Sequence, residues 1–391
     1  MKIAFIRYPE TLYASGAVLR GGSEIANQYI INYLRQTGDT IQEFSPQCQE
    51  RLSLIRIPAL GTPLLFQDLL SQVEAINRCD VVVTTNWFNL ILPEIKRPVV
   101  TIFHSNASLM RRIVAAGPAA DEAEIFSRWL NRARQYDLGQ PSDQDSHERI
   151  IAIGEQYAVQ HSAAVVAVSD YLADTLVADY ASDRKKIAVI PNPYPPHWNP
   201  EDKDRSVDST TPLHIVCVTR LPIDYSGFLS KGEDRMFEIF SQLTGARKKL
   251  VASTKTGALT RFMAEYLPDV ELVENAGREE VEAILARTQI TIHTSRCEAY
   301  GLSVVESMMM GNVPIVFPTG IAEHLIETGK NGFVIHSPTE AAETIRGLDR
   351  DRARLERIGR EAQLTVWRQL AVETIGERYR QIITAQKNTT Q

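Results

Sequence analysis

The stretch CEAYGLSVVESMMMGNVPIVFPTGIAEHLIETGKNGFVI, residues 297–335, decides the fold. The apolar run Ile290–His293 just before it reads as a strand, and Val313–Phe317 within it reads as another. Leu302–Met310 between them has the spacing of a short buried helix. Apolar strands of this continuous kind suit a parallel sheet covered on both faces. Glu298 then lies on the loop leaving the first strand. Glu306 lies in the second turn of the helix, at ~3.6 residues per turn. Seven residues separate the two carboxylates, and Gly301 falls between them. The arrangement offers one ligand a helix N-terminus, which suits phosphate, and two carboxylates, which suit sugar hydroxyls. Glutamates in helices are common, and a pair at this spacing arises by chance. The flanking order raises its weight: strand, Glu, aromatic, Gly, apolar helix with Glu, Gly, x-Pro, strand. A helix reading LSVVESMMM has little reason to carry a carboxylate unless a partner satisfies it, because an unpaired buried charge is costly.

Similar short apolar runs occur along the whole chain. The first half has KIAFIRY (2–8), VVVTT (81–85), VVTIFH (99–104), AVVAVS (164–169) and IAVIPN (187–192). The second half has HIVCVTR (214–220), LVAST (250–254), ITIHTS (290–295), PIVFPT (314–319) and GFVIHS (332–337). Strand–helix alternation carried through twice predicts an α/β chain with two doubly wound domains. The Pro-, Asp- and Ser-rich segment 193–212 between them reads as a linker. The spacing of Trp367, Leu370, Ile375, Tyr379 and Ile382 predicts a long amphipathic helix from about residue 358 to 385, packing back on the first domain. The expected division is therefore residues 1–200, residues 201–365 and a terminal helix over 366–391.

The bulk numbers set limits. At 391 residues the chain exceeds one ordinary core, so two domains are the natural prior. A net charge of −6 argues against a nucleic-acid binder that relies on counterion release. The four cysteines, Cys48, Cys79, Cys217 and Cys297, form no C-x2-C pair, which fits free thiols in a reducing compartment and gives no zinc site. No run approaches the ~20 apolar residues of a spanning helix. A cytoplasmic enzyme is the default, with peripheral attachment to the inner membrane face left open. The segment LMRRIVAAG (109–117) sets Arg111 and Arg112 among apolar residues, as anionic-lipid or acidic-acceptor patches do. A plain surface helix is the favoured reading.

Further candidates lie where strands end. Gly21 and Gly22 precede a helix starting near Ser23 or Glu24, and a glycine pair lets backbone N–H groups approach a ligand. The pattern is not G-x-G-x-x-G, which weakens a nicotinamide reading. An ordinary loop-to-helix turn explains it equally well. Arg220 ends the first strand of the second half, and Lys231 follows just before a helix. Two cations at a sheet's carboxyl edge are what a diphosphate needs. His104 ends VVTIFH, where a ring nitrogen can meet a sugar hydroxyl or carbonyl. The remaining histidines show no metal spacing.

These residues resemble the Glu-x7-Glu region of retaining GT-B glycosyltransferases, glycosyltransferase family 4 in particular. RGGSE resembles the family's Gly-Gly loop, AVVAVSDYLADTL and KIAVIPNPY its first-domain closing blocks, and VTRL with SKGED its Arg…Lys-Gly donor site. TGKNGFVI, Trp367 and Tyr379 continue the likeness, which covers nearly the whole chain. The resemblance implies two Rossmann-like domains facing a cleft, with a nucleoside-diphosphate sugar held mainly by the second. It implies Arg220 and Lys231 at the diphosphate, Glu306 at the ribose and Glu298 at the transferred sugar. Backbone N–H groups at Tyr300, Gly301 and Leu302 would face the sugar and phosphate, Ser303 would also bind the donor, Gly21 and Gly22 would approach the phosphate, and His104 would contact the sugar at the reaction centre. Transfer would retain the anomeric configuration, without a metal or cofactor. A UDP-sugar is the expected donor.

Departures from the family pattern are the long interval LPIDYSGFLS between Arg220 and Lys231, KTGALT in place of Gly-x-Gly, and Ala299 and Tyr300 where Pro and Phe are common. The long interval puts the role of Lys231 in question, and KTGALT leaves Lys255 or Thr256 to replace backbone contacts. The alternatives are other GT-B chemistry, such as a nucleotide-sugar epimerase, and an inactive nucleotide-sugar-binding protein. The sequence leaves the acceptor unread.

Overall fold

A computed structural model describes residues 1–7, 22–46, 67–140, 145–194, 211–220, 224–253 and 257–387. The chain divides into two compact units. The first is Met1–Leu109, Asp143–Pro195 and Leu370–Gln391, and the second is Met110–Ser142 and Pro196–Gln369.

The first unit is built on strands β1 (Lys2–Ile6), β2 (Thr40–Phe44), β3 (Val81–Thr85), β4 (Val99–Phe103), β5 (Ala164–Ala167) and β6 (Ile187–Val189). Their order is β2-β1-β3-β4-β5-β6, and every pairing is parallel. The second unit holds β7 (His214–Arg220), β8 (Arg247–Ser253), β9 (Val270–Glu274), β10 (Ile290–His293), β11 (Val313–Val316) and β12 (Phe333–Val334). Its order is β12-β11-β10-β7-β8-β9, again all parallel. Reading outward from β7, this is the Rossmann order, and the direction of winding reverses between β7 and β10.

The ten apolar runs of the sequence correspond to ten of these strands. The two that the apolar pattern did not show are β2 (TIQEF) and β9 (VELVE). Both are edge strands, flanked on one side only and partly open to solvent, so no continuous apolar run is required of them.

The simple division at residue 200 needs correction. Met110–Ser142 belongs with the second unit. Its helix α3 (Ala123–Arg134) buries Phe126, Trp129, Leu130 and Ala133 in that unit's core. The Trp129 ring packs 5.4 Å from the Phe237 ring, and Phe126 meets Phe228 edge-on at 5.7 Å. Aromatic residues carry large buried areas, so this helix is a structural part of the second core. Linker residues 195–210 lie outside the described set.

The C-terminal helix is two helices, α7 (Arg352–Gln369) and α8 (Val372–Lys387). At Leu370 the backbone carbonyl accepts from Tyr194 N–H at 3.0 Å rather than continuing the helix. From there α8 joins the first unit, burying Ile375, Tyr379 and Ile383. Tyr379 donates to the Ile190 carbonyl at 3.2 Å. Trp367, expected among the apolar members, is 54% exposed instead.

Candidate active site

Residues of interest in the second unit gather at the reversal between β7 and β10. Open α/β sheets bind ligands at such a point, outside the carboxyl ends of the strands. Arg220 is the last residue of β7 and is exposed. The long interval after it contains a short helix, α4 (Tyr225–Lys231), capped by Asp224, which accepts from Gly227 N–H at 2.7 Å. Lys231 therefore ends a helix, whereas the sequence placed it only ahead of one. Gly232 follows at φ 62° and opens α5 (Glu233–Gln242). A Cβ on Gly232 would lie 2.1 Å from the Thr294 carbonyl oxygen, so the close approach requires glycine.

The loop after β10 is stitched to the C-terminal carbonyls of α4, which have no intrahelical partner. Arg296 and Cys297 N–H groups donate to the Ser230 carbonyl at 2.8 and 3.1 Å. Thr294 Oγ1 donates to the Lys231 carbonyl at 3.0 Å. The result fixes Lys231 against Glu298, with Nζ 3.0 Å from Oε2 and side chains 24% and 31% exposed. The Glu298 carboxylate raises the Lys231 pKa against the opposing effects of burial and of the Arg220 charge. A part-exposed ion pair adds only about 0.2–1 kcal/mol. The pair therefore contributes little stability, and its value lies in where it holds the two groups.

Helix α6 (Leu302–Met309) follows, entered through Gly301 at φ 94°. Its first-turn N–H groups, those of Leu302 and Ser303 among them, have no intrahelical acceptors. Tyr300 is 4% exposed and its carbonyl accepts from Ile321 N–H at 2.8 Å, so its side chain serves the core. Val304, Val305, Met308 and Met309 are buried. Glu306 is half-buried on the same helix. Burial pushes its carboxyl up to about 7, Arg278 partly offsets this, and Glu282 adds to it. No hydrogen bond or ion pair to its carboxylate occurs among the described residues. An opening to solvent is lined by Glu298, Gly301, Ser303, His293, Ser295 and Thr319, among others.

His293 was passed over in the sequence. It ends β10, and its Nδ1 lies 3.3 Å from Ser303 Oγ, while its Nε2 lies 3.2 Å from Thr291 Oγ1. Burial pulls its pKa down to about 3, so it is neutral. Its signal was available, since a histidine closing a buried strand is the cue that singled out His104.

In the first unit, His104 directly follows β4. Its Nε2 lies 3.0 Å from Asn27 Oδ1. Burial pulls its pKa down to about 4, against a raising hydrogen bond with Asn192. Asn27 sits on α1 (Gly22–Gln36), whose first residue is Gly22. The structure thus joins His104 to the helix that begins at Gly22, while Gly21 lies outside the described residues, as do Lys255 and Thr256. Asn27 was also missed, although a polar residue in the buried stripe Ala26, Ile30, Ile31, Leu34 was readable. Beyond His104, Glu155 accepts from Ala107 N–H at 3.0 Å and from Tyr180 at 2.6 Å, holding the loop at the start of α2 (Ala107–Ala116). In α2, Ile113 packs against the second unit's core, Arg111 is half-buried and Arg112 is exposed.

Among the described residues, no group of three or more His, Cys, Asp or Glu is placed to hold a metal ion, and no helix is long and apolar enough to cross a membrane.

Two family models match the chain. Residues 20–198 match Glycosyltransferase Family 4, and residues 261–365 match Glycosyl transferases group 1. No curated protein matches the chain in sequence. Among solved structures, Anabaena HepE in complex with UDP and glucose is similar with TM-score 0.67 at 16% identity, covering 98% of this chain and 100% of that one. Sucrose-phosphate synthase from Thermosynechococcus elongatus gives TM-score 0.72 at 15% identity, covering 98% and 99%. A glycosyltransferase from Rickettsia africae gives 0.65 at 16%, covering 98% of each chain. With two Rossmann-like units and a family match in each half, the chain is a glycosyltransferase of the family 4 type, in GT-B architecture.

Proposed function

We propose that the protein transfers a sugar from a nucleoside-diphosphate sugar, a UDP-sugar, to a glycan, lipid or small-molecule acceptor, with retention at the anomeric carbon and without a metal. The observation that carries the donor assignment is Glu306. It is a half-buried carboxylate with a pKa near 7 and no donor among the described residues, one helix away from the Lys231–Glu298 pair. Ribose hydroxyls supply the donors it lacks. UDP as the nucleotide is supported by HepE, which has been solved with UDP-glucose.

In this reading Arg220 and Lys231 offset the charge that builds on the departing diphosphate, the role that preorganised cations serve in transfer chemistry. The first-turn N–H groups of α6 face the phosphate or sugar. Glu298, held by Lys231, accepts from a sugar hydroxyl. Retention then follows from attack on the face that the diphosphate leaves, with a leaving-group oxygen taking the acceptor proton. His104 is neutral and acts through hydrogen bonds. The free thiols of Cys79, Cys217 and Cys297 support a cytoplasmic location.

The test needs no acceptor. Slow hydrolysis of UDP-glucose, followed by proton NMR, should release α-glucose first and lose that activity in Glu306→Ala. Initial β-glucose would overturn retention, and an undiminished Glu306→Ala rate would overturn the ribose assignment.

A further inference from the structure

The excursion Met110–Ser142 brings one carboxylate under the donor loop. Glu122, 4% exposed, stands at the start of α3 but makes no capping hydrogen bond through its side chain. It accepts instead from Arg235 Nε at 2.5 Å and Nη2 at 2.9 Å, and from Arg296 Nη2 at 3.0 Å and Nε at 3.2 Å. Arg296 also donates to both oxygens of fully buried Asp234, at 2.6 and 2.7 Å. Its Nη1 reaches the Leu229 carbonyl at 3.2 Å. Arg235 donates to the Thr294 carbonyl at 3.2 Å, and its guanidinium lies 3.9 Å from the centre of the Phe317 ring. Two guanidinium groups and two carboxylates balance here, and burial raises the Glu122 pKa less than Arg235 and Arg296 lower it.

The two arginines grip both ends of the short loop before Glu298. Arg235 holds Thr294, and Arg296 is two residues from Glu298. Both are held in turn by Glu122. Replacing a balanced buried cluster with apolar residues often costs nothing, so stability alone does not explain it, and conformational specificity is the better-attested use.

We propose that Glu122 is a positioning residue for the donor site, setting the 294–298 loop and hence Glu298 from an element inserted out of the first half of the chain. The proposal rests on the donor assignment made above for its functional consequence, but its structural part can be read separately.

Cys297 supplies that reading. It lies in the loop and is half-buried, while Cys217 is fully buried in the core and reports global opening. In the full-length protein, iodoacetamide labelling followed by mass spectrometry should show a Cys297-to-Cys217 ratio raised about tenfold by Glu122→Gln, the size expected for coupled members of one network. UDP-glucose binding by calorimetry should weaken by a similar factor. Glu122→Asp should lie between, and serves if Glu122→Gln folds poorly. Arg128→Gln is the control: Arg128 pairs with Glu238 at 2.5 Å across the same two helices without touching the loop, so both readouts should remain at wild type. An unchanged labelling ratio in Glu122→Gln, or an equal rise in Arg128→Gln, overturns the positioning role. A raised ratio with unchanged UDP-glucose affinity overturns its link to the donor. Wild-type UDP affinity in Glu306→Ala would instead strike the donor assignment, leaving the labelling result to stand by itself.

Discussion

At the carboxyl edge of the second unit's sheet stand Arg220, Lys231, Glu298 and Glu306. The corresponding edge of the first unit presents His104 with Asn27 and Asn192, and the Arg7 charge after β1 lies 2.6 Å from Glu43. Both edges belong to six-stranded parallel sheets. In the second unit burial leaves a carboxylate poised near neutral pH, and in the first it holds a histidine uncharged. One scaffold thus carries a charged site suited to a nucleoside diphosphate and a neutral hydrogen-bonding site suited to hydroxyl groups. Function resides in the side chains set on the scaffold, since the scaffold itself is shared.

The sharpest way to break this contrast is Lys231→Ala. Loss of one preorganised group facing developing charge costs about 10²–10³ in turnover. UDP-glucose hydrolysis should fall by that order, and near-wild-type turnover would remove the second unit's claim to the leaving group. Next is Glu306→Ala. Hydrogen bonds to a charged group are worth roughly 1.5–3 kcal/mol, so UDP affinity measured by calorimetry should drop about 10- to 100-fold. The wild-type affinity should also rise with pH through about 7 as Glu306 ionises, and Glu306→Gln should flatten that profile.

Asn27→Ala probes the other side of the comparison. It removes one neutral hydrogen bond to His104, worth about 1 kcal/mol, so turnover should fall severalfold while UDP affinity holds. A loss of UDP affinity would show that the two edges are less distinct than their chemistry suggests.

The smallest effects are on stability. Glu306 has its folded pKa raised from 4.5 to about 7, so the unfolded chain releases this proton first as pH rises. Its contribution to stability declines from about pH 4.5 to 7. The Tm of Glu306→Gln relative to wild type should be lowest near pH 4.5 and climb to a plateau above 7. His104 and His293 act in the opposite sense. Both are held below the ordinary 6.5, so stability falls as pH drops from there towards 4, and His293→Asn should lessen that fall.

How much of this was legible depended on how local the signal was. Central strands, buried on both faces, wrote themselves as apolar runs, and Glu298, Gly301 and Glu306 stood within one strand–helix–strand unit. The edge strands β2 and β9 lack that constraint. The helix before Lys231 was hidden in an interval that looked merely long. Glu122 was beyond local reading altogether, because 174 residues separate it from Arg296, and only the folded chain shows why a polar segment of the first half belongs to the second core. Asn27 and His293 were readable in principle, by the rule that a polar group in a buried stripe or strand end needs a partner.

The central claim is that Lys231 and Glu306, rather than His104, supply the decisive contacts to the nucleotide. Ligand binding to the native state raises Tm by mass action. Full-length wild type, His104→Ala, Lys231→Ala and Glu306→Ala should therefore be melted with and without excess UDP. The account predicts an equal UDP-induced rise in wild type and His104→Ala, and a strongly reduced rise in Lys231→Ala and Glu306→Ala. A full rise in both of the latter, or its loss in His104→Ala, would contradict it.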